Sequence, residues 1–157
     1  MVQKELKIAY TEFENLSEMD SMDKELVEAS IEAMKGSYAP YSKFNVGAAV
    51  RMSDGSIIKG SNQENAAYPS GICAERTAMF YANSIAGDKT MTSIAIVASQ
   101  DGTICTKPVS PCGACRQVMA EYQTKSGHNM RVLLHGSSKT MVFERVDDIL
   151  PFIFDSL

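Results

Sequence analysis

Two short stretches of the chain carry side chains able to do chemistry: Cys73-Ala74-Glu75-Arg76 and Pro111-Cys112-Gly113-Ala114-Cys115. Cys112 and Cys115 stand three apart, which puts both sulfurs on one face of a first helical turn, where they can grip a single ion. Cys73 can be the third ligand. Three thiolates around Zn2+ leave one tetrahedral position open to water, and that opening separates a catalytic zinc from a closed structural one. Zinc lowers the pKa of such a water to about 7, and a carboxylate held close by can take its proton and deliver it to a substrate. Glu75, two residues from Cys73, is the candidate for that carboxylate. Arg76 can offset the negative charge of a three-thiolate site by hydrogen bonding to sulfur.

Both motifs are expected where a loop becomes a helix. Unpaired N–H groups there carry partial positive charge, which favours thiolates. Pro111 suits a helix start because it has no N–H to lose. The remaining elements follow from periodicity. Met22, Leu26, Val27, Ile31 and Met34 recur at helical intervals and predict a helix over 21–34, ended by Gly36. Residues 44–52 and 56–61 are rich in strand formers and flank Ser53-Asp54-Gly55, a hairpin signal. A helix is predicted over 73–83 and another over 112–122. The nearly all-apolar runs 92–98 and 130–135 read as strands buried on both faces. A last strand is expected over 139–144 and a short helix over 146–150. This order predicts a three-layer α/β/α domain with a mixed sheet of about five strands. Residues 1–20 form an N-terminal extension, an arm or edge strand drawn from the partial alternation at 5–13, and 21–157 form the catalytic domain.

Length and charge exclude much else. The chain has 157 residues, 45% of them hydrophobic, enough for one real core but not for two complete domains. Fifteen Lys and Arg against nineteen Asp and Glu leave a net charge of −4, so no large cationic field is available for a nucleic-acid polymer or an anionic membrane surface. No apolar run approaches the roughly 20 residues that span a bilayer. The first ten residues lack a secretory h-region, so a cytoplasmic, reducing location is expected, in which clustered cysteines bind metal or do chemistry rather than form disulfides.

The residues Cys-Ala-Glu-Arg at 73–76 and Pro-Cys-Gly-Ala-Cys-Arg-Gln at 111–117 resemble the zinc-dependent cytidine deaminases. Tyr-Ala-Pro-Tyr-Ser-Lys-Phe-Asn-Val-Gly-Ala-Ala-Val at 38–50 and Asn-Gln-Glu-Asn-Ala-Ala-Tyr-Pro-Ser-Gly-Ile at 62–72 resemble the small, homotetrameric, three-cysteine type that acts on free nucleosides. The likeness runs over roughly residues 25–154. It implies a cytidine-deaminase-like α/β fold and one Zn2+ per subunit on Cys73, Cys112 and Cys115. It implies conversion of cytidine and 2′-deoxycytidine to uridine and 2′-deoxyuridine with release of ammonia, and a place in pyrimidine salvage. In the scheme general to zinc deaminases, activated water attacks C4 of the base while Glu75 shuttles the protons. The resemblance also places Asn62 and Glu64 on the sugar 3′-hydroxyl and Phe44 beside the nucleoside. A neighbouring subunit of a homotetramer would add Phe154 against the base and Ala66 to Tyr68 near the sugar, so that active sites are shared.

Gln63 departs from the apolar residue expected there, and is expected to face out of the pocket. Three other functions compete. A deaminase of another aminopyrimidine nucleoside, of the blasticidin S kind, would share the fold. A non-catalytic zinc-stabilised module would need Cys105 to close a four-cysteine cage. A polynucleotide-editing deaminase fits poorly with the acidic balance and with Cys73 in place of histidine. His128 and His135 read as structural, and Cys105 as a plain buried or half-buried cysteine.

Overall fold

Side-chain alternation along the central strands assigns one set of residues to each face of a mixed sheet, in a computed structural model that describes residues 1–155. The last two positions of the expected catalytic domain, 156 and 157, lie outside the described residues. The strands are β1 (Thr11–Phe13), β2 (Phe44–Met52), β3 (Ile57–Ser61), β4 (Met91–Gln100), β5 (Thr103–Ile104), β6 (Arg131–Gly136) and β7 (Lys139–Phe143). They run in the order β1-β7-β6-β4-β2-β3, with β5 added on β4. From β2, β4 and β6, Ala49, Ala95 and Leu133 pack with Leu26 and Val27 of helix α1 (Ser21–Ala33) on one face. Val50, Ile94, Ile96, Val132 and Leu134 pack on the other face against helices α2 (Ala74–Ile85) and α3 (Gly113–Ser126). The result is the expected helix, sheet, helix sandwich.

The sheet has seven strands rather than about five. β1 comes from the end of the arm and pairs antiparallel with β7, Glu12 opposite Met141. β5 is only two residues long, too short to show alternation; it folds back through Asp101-Gly102, whose φ angles of 49° and 81° are those of a tight hairpin turn. β4 is also longer than expected, and the last short helix is a 3-10 turn over Val146–Asp148. Residues 15–23 read as an acidic linker in the sequence, although 21–23 already lie in α1. They contain a 3-10 turn at Leu16–Glu18, and Asp20 caps α1 by accepting from the Met22 and Asp23 amides.

Chain direction brings the site together. β3 is antiparallel to β2 and β2 to β4, while β4 and β6 are parallel. The carboxyl ends of β3 and β4 therefore lie at one edge of the sheet, with the start of β2 beside them. α2 follows β3 and α3 follows β4, so both helices begin at that edge, where ligands of α/β sheets bind. Two glycines set the approach. A methyl on Gly60 of β3 would sit 2.4 Å from the Ala78 nitrogen of α2, so this helix rests directly on the strand. One on Gly136 would sit 2.6 Å from the Pro108 nitrogen, in the loop leading to α3. That loop is tied down further, since the Ser137 and Ser138 amides donate to the carbonyls of Cys105 and Thr106, each at 3.0 Å. Among the described residues no helix is long and apolar enough to cross a membrane.

Candidate active site

Cys73 and Cys112 occupy the N-cap positions of α2 and α3, and Cys115 lies in the first turn of α3. At neither N-cap does a side chain accept from the helix amides, so both helix ends keep their positive potential directed at the sulfurs. The three sulfurs lie within 4.8 Å of one another, and those of Cys73 and Cys112 are 4.0 Å apart. Zinc–sulfur bonds of 2.3 Å at tetrahedral angles need sulfurs about 3.8 Å apart, so this donor set fits a zinc ion. Cys105 does not belong to the cluster. It is half-buried at the β5 end of the following loop, where its amide donates to the Ala98 carbonyl at 2.9 Å. A four-cysteine cage is therefore not what the fold assembles.

The charges around the sulfurs are arranged to hold thiolate. The hydrogen bond from Cys115 lowers the Cys73 pKa to about 5, aided by Arg76, whose Nη2 donates to the Cys73 sulfur at 3.5 Å. The same Cys73–Cys115 contact, with burial and the nearby Glu75 carboxylate, pushes Cys115 up, so the two thiols compete for one proton. The Arg76 Nε is fully buried with no partner, an orphaned donor that suits a sulfur-rich anionic centre. Glu75 is only 5% exposed, and burial raises its pKa, with the Cys73 charge adding to the effect. It lines the cleft beside the sulfurs.

An open cleft of about 970 Å³ leads to the cluster. Cys73, Cys112, Glu75 and Arg76 line it together with Phe44, Asn62, Glu64, Ala66 and Tyr68, so the fold brings these sequence candidates to one place. Asn62 is nearly saturated by its own chain: its Oδ1 accepts from Ser37 Oγ at 2.5 Å and the Val46 amide at 2.8 Å, and its Nδ2 donates to the Phe44 carbonyl at 2.9 Å. One N–H of that amide remains for a ligand. The Glu64 carboxylate accepts from the Tyr41 and Ser42 amides and from the Ser42 hydroxyl, and these donors hold its pKa below the usual value, the hydroxyl foremost. Ala66 and Tyr68 stand on the rim, with Tyr68 91% exposed.

Gln63 borders the cleft, with its side-chain amide turned to the Gly36 carbonyl and the Ser61 hydroxyl, neither of which lines it. Phe154 is not among the lining residues; it lies against α3 and is 82% exposed. His128 and His135 are away from the cluster, each paired with a threonine hydroxyl. Ser42 escaped the sequence reading. Its hydroxyl both serves Glu64 and accepts from the Phe44 amide at 3.0 Å, a link visible only once residues 42 and 64 are adjacent.

Residues 20–128 match the model of the cytidine and deoxycytidylate deaminase zinc-binding region. The chain belongs to this family. As a zinc-dependent hydrolase family, it accounts for the three-cysteine cluster. Among its members, the cytidine deaminase of Halalkalibacterium halodurans is 52% identical over 101 residues, which make up 64% of this chain and 72% of that one. The cytidine deaminase of Mycobacterium tuberculosis is 32% identical over 128 residues, covering 78% of this chain and 82% of its own. The crystal structure of cytidine deaminase from Burkholderia pseudomallei superposes with a TM-score of 0.71 at 40% identity, over 87% of this chain and 100% of that one.

Proposed function

We propose that this deaminase family member hydrolyses cytidine and 2′-deoxycytidine to uridine and 2′-deoxyuridine with release of ammonia. The observation that carries the reading is a buried carboxyl, Glu75, beside three convergent thiols, of which Cys73 and Cys112 line an open cleft. Cys73, Cys112 and Cys115 would hold Zn2+, and the bound ion would supply an activated water. Glu75 takes a proton from the attacking water and passes it to N3 of the base; it then takes the remaining proton of the new C4 hydroxyl and delivers it to the departing amine, so that C4 becomes a carbonyl as ammonia leaves. A carboxyl pKa raised by burial suits both duties, because the group must be a base in one step and an acid in the next. Arg76 steadies Cys73 and limits the charge on the sulfurs.

Phe44 packs beside the nucleoside, and Asn62 and Glu64 meet the sugar 3′-hydroxyl: the spare Asn62 N–H donates while the Glu64 carboxylate accepts. Arg76 is the one cation among the described lining residues and is committed to Cys73, so no free cation of the cleft is left to pair with a phosphate. A nucleoside is therefore favoured over its monophosphate. Ala66 and Tyr68 on the rim and Phe154 beyond it are exposed in one subunit, which supports a homotetramer with shared sites. A cytoplasmic place in pyrimidine salvage is the setting that a free-nucleoside substrate suits.

The test follows the ultraviolet absorbance of cytidine, deoxycytidine and deoxycytidylate with purified zinc-loaded protein, and the mass of the assembly by sedimentation. Turnover of both nucleosides by a four-subunit particle is expected. Glu75→Gln should keep its zinc and lose at least about 100-fold in kcat. Absence of turnover on any cytosine nucleoside by the zinc-loaded protein overturns the reading.

A further inference from the structure

The tail that carries Phe154 is fastened to the helix that carries Cys115. Arg116 donates from Nε to the Pro111 carbonyl at 2.8 Å and from Nη1 to the Ile149 carbonyl at 2.7 Å. One residue on, Gln117 uses both ends of its amide on a single residue: Nε2 donates to the Phe154 carbonyl at 2.6 Å, and Oε1 accepts from the Phe154 amide at 3.1 Å. Among the described residues, these two are the only hydrogen bonds that residues 151–155 make. Chain ends ordinarily fray unless tied down. Here the backbone of one residue is held at both of its polar groups while its ring stays 82% exposed, so the side chain is aimed outward from a fixed base. A clamp that spends both amide groups on an exposed aromatic contributes little to the core of its own subunit.

We propose that Gln117 is the positioning residue for Phe154, setting the direction in which that ring leaves α3 so that it can close over the base in a neighbouring active site. The inference rests on the reading above that Phe154 serves a neighbouring subunit. Gln117 acts through Phe154 and touches no substrate. Its place two residues after Cys115 fixes the tail relative to the metal-binding turn, so one short helix segment registers a subunit's own zinc site against the aromatic lid it lends to the next.

The test compares Gln117→Met, Phe154→Ala and the double variant in the zinc-loaded assembly. Met keeps the length of the side chain and removes both hydrogen bonds. Loss of two neutral hydrogen bonds that hold a binding group is expected to raise KM for cytidine by about tenfold in Gln117→Met. kcat should change less than about twofold, and zinc content and sedimentation should be unchanged. The double variant should match Phe154→Ala alone, because the clamp has no further purpose once the ring is gone. Additive losses, or a fall in zinc content in place of a rise in KM, would mark a structural role and overturn the proposal. If Phe154→Ala raises KM and Gln117→Met does not, the clamp is refuted while the reading of Phe154 stands. If Phe154→Ala leaves kcat/KM unchanged, the reading of Phe154 fails and takes the proposal with it. Hydrogen exchange on the unmodified protein needs no variant: the Phe154 amide should be protected relative to Phe152 and Ile153, and equal exchange at all three refutes the clamp.

Discussion

Arg76 reaches back one helical turn to the sulfur of Cys73, donating at 3.5 Å to the residue that caps its own helix. The sulfur thus receives positive potential from the guanidinium as well as from the amides at the start of α2. The hydrogen bond from Cys115 is the main cause of the Cys73 pKa falling to about 5, with Arg76 adding to it, and the same contact raises Cys115.

Arg76→Ala should therefore weaken metal binding without removing a ligand. Partners that orient and neutralise metal ligands typically govern affinity by 10- to 100-fold, and a loss of roughly that size is expected. Competition against a chromophoric chelator at fixed pH measures it directly. An unchanged zinc affinity would mean that the contact with Cys73 carries no weight.

Ser42→Ala should impair substrate binding from a position outside the proposed proton-transfer machinery. The hydroxyl is the leading cause of the lowered Glu64 pKa, and it also accepts from the Phe44 amide. Its removal frees the 41–44 loop and lets the Glu64 carboxyl titrate nearer its ordinary value. A rise in KM of about 3- to 10-fold, with kcat little changed, is expected from losing one such linking hydroxyl. Steady-state kinetics on cytidine decides it, and a fall confined to kcat would point elsewhere.

The local signals were legible in the sequence and the long-range ones were not. The 112–115 spacing, Pro111 before it and the all-apolar runs at 92–98 and 130–135 each reflect geometry within one turn or one strand, so residue types alone expose them. β5 has two residues and no period to read, and the turn pair Asp101-Gly102 that leads into it escaped the sequence reading. The Ser42–Glu64 and Gln117–Phe154 contacts join residues 22 and 37 positions apart. Such polar links leave no periodic trace, because neither partner belongs to an amphipathic pattern. Gly60 likewise reads as a strand weakness until α2 is seen resting on it.

Gly60→Ala should disturb the site from beneath. The new methyl would lie 2.4 Å from the Ala78 nitrogen and 2.7 Å from the Ala74 carbonyl, both backbone atoms that cannot step aside alone. α2 must then lift from β3, carrying Cys73 and Glu75 with it. Overpacking of this kind typically costs about 1–3 kcal/mol, to be read as a lower urea midpoint together with reduced zinc content. Wild-type stability and full zinc content would show that the helix has room to shift.

His135→Gln should flatten part of the acid limb of the stability profile. His135 is half-buried on β6 with Nδ1 2.8 Å from the Thr140 hydroxyl, and burial lowers its pKa below the usual 6.5. In the unfolded chain the ring takes up its proton as pH falls through about 6.5, while the folded chain resists until lower pH. The unfolded state thus binds more protons over that interval, and stability declines as pH falls through it. Above about pH 7.5 both states hold a neutral ring and the effect vanishes. The variant has no ring to protonate, so the difference in urea midpoint between wild type and variant should shift in the variant's favour from about pH 7.5 down to about pH 5.5. Taking that difference at equal zinc loading cancels metal loss, which is common to both proteins. A constant difference across the range would show that His135 titrates alike in the two states and that its burial carries no penalty.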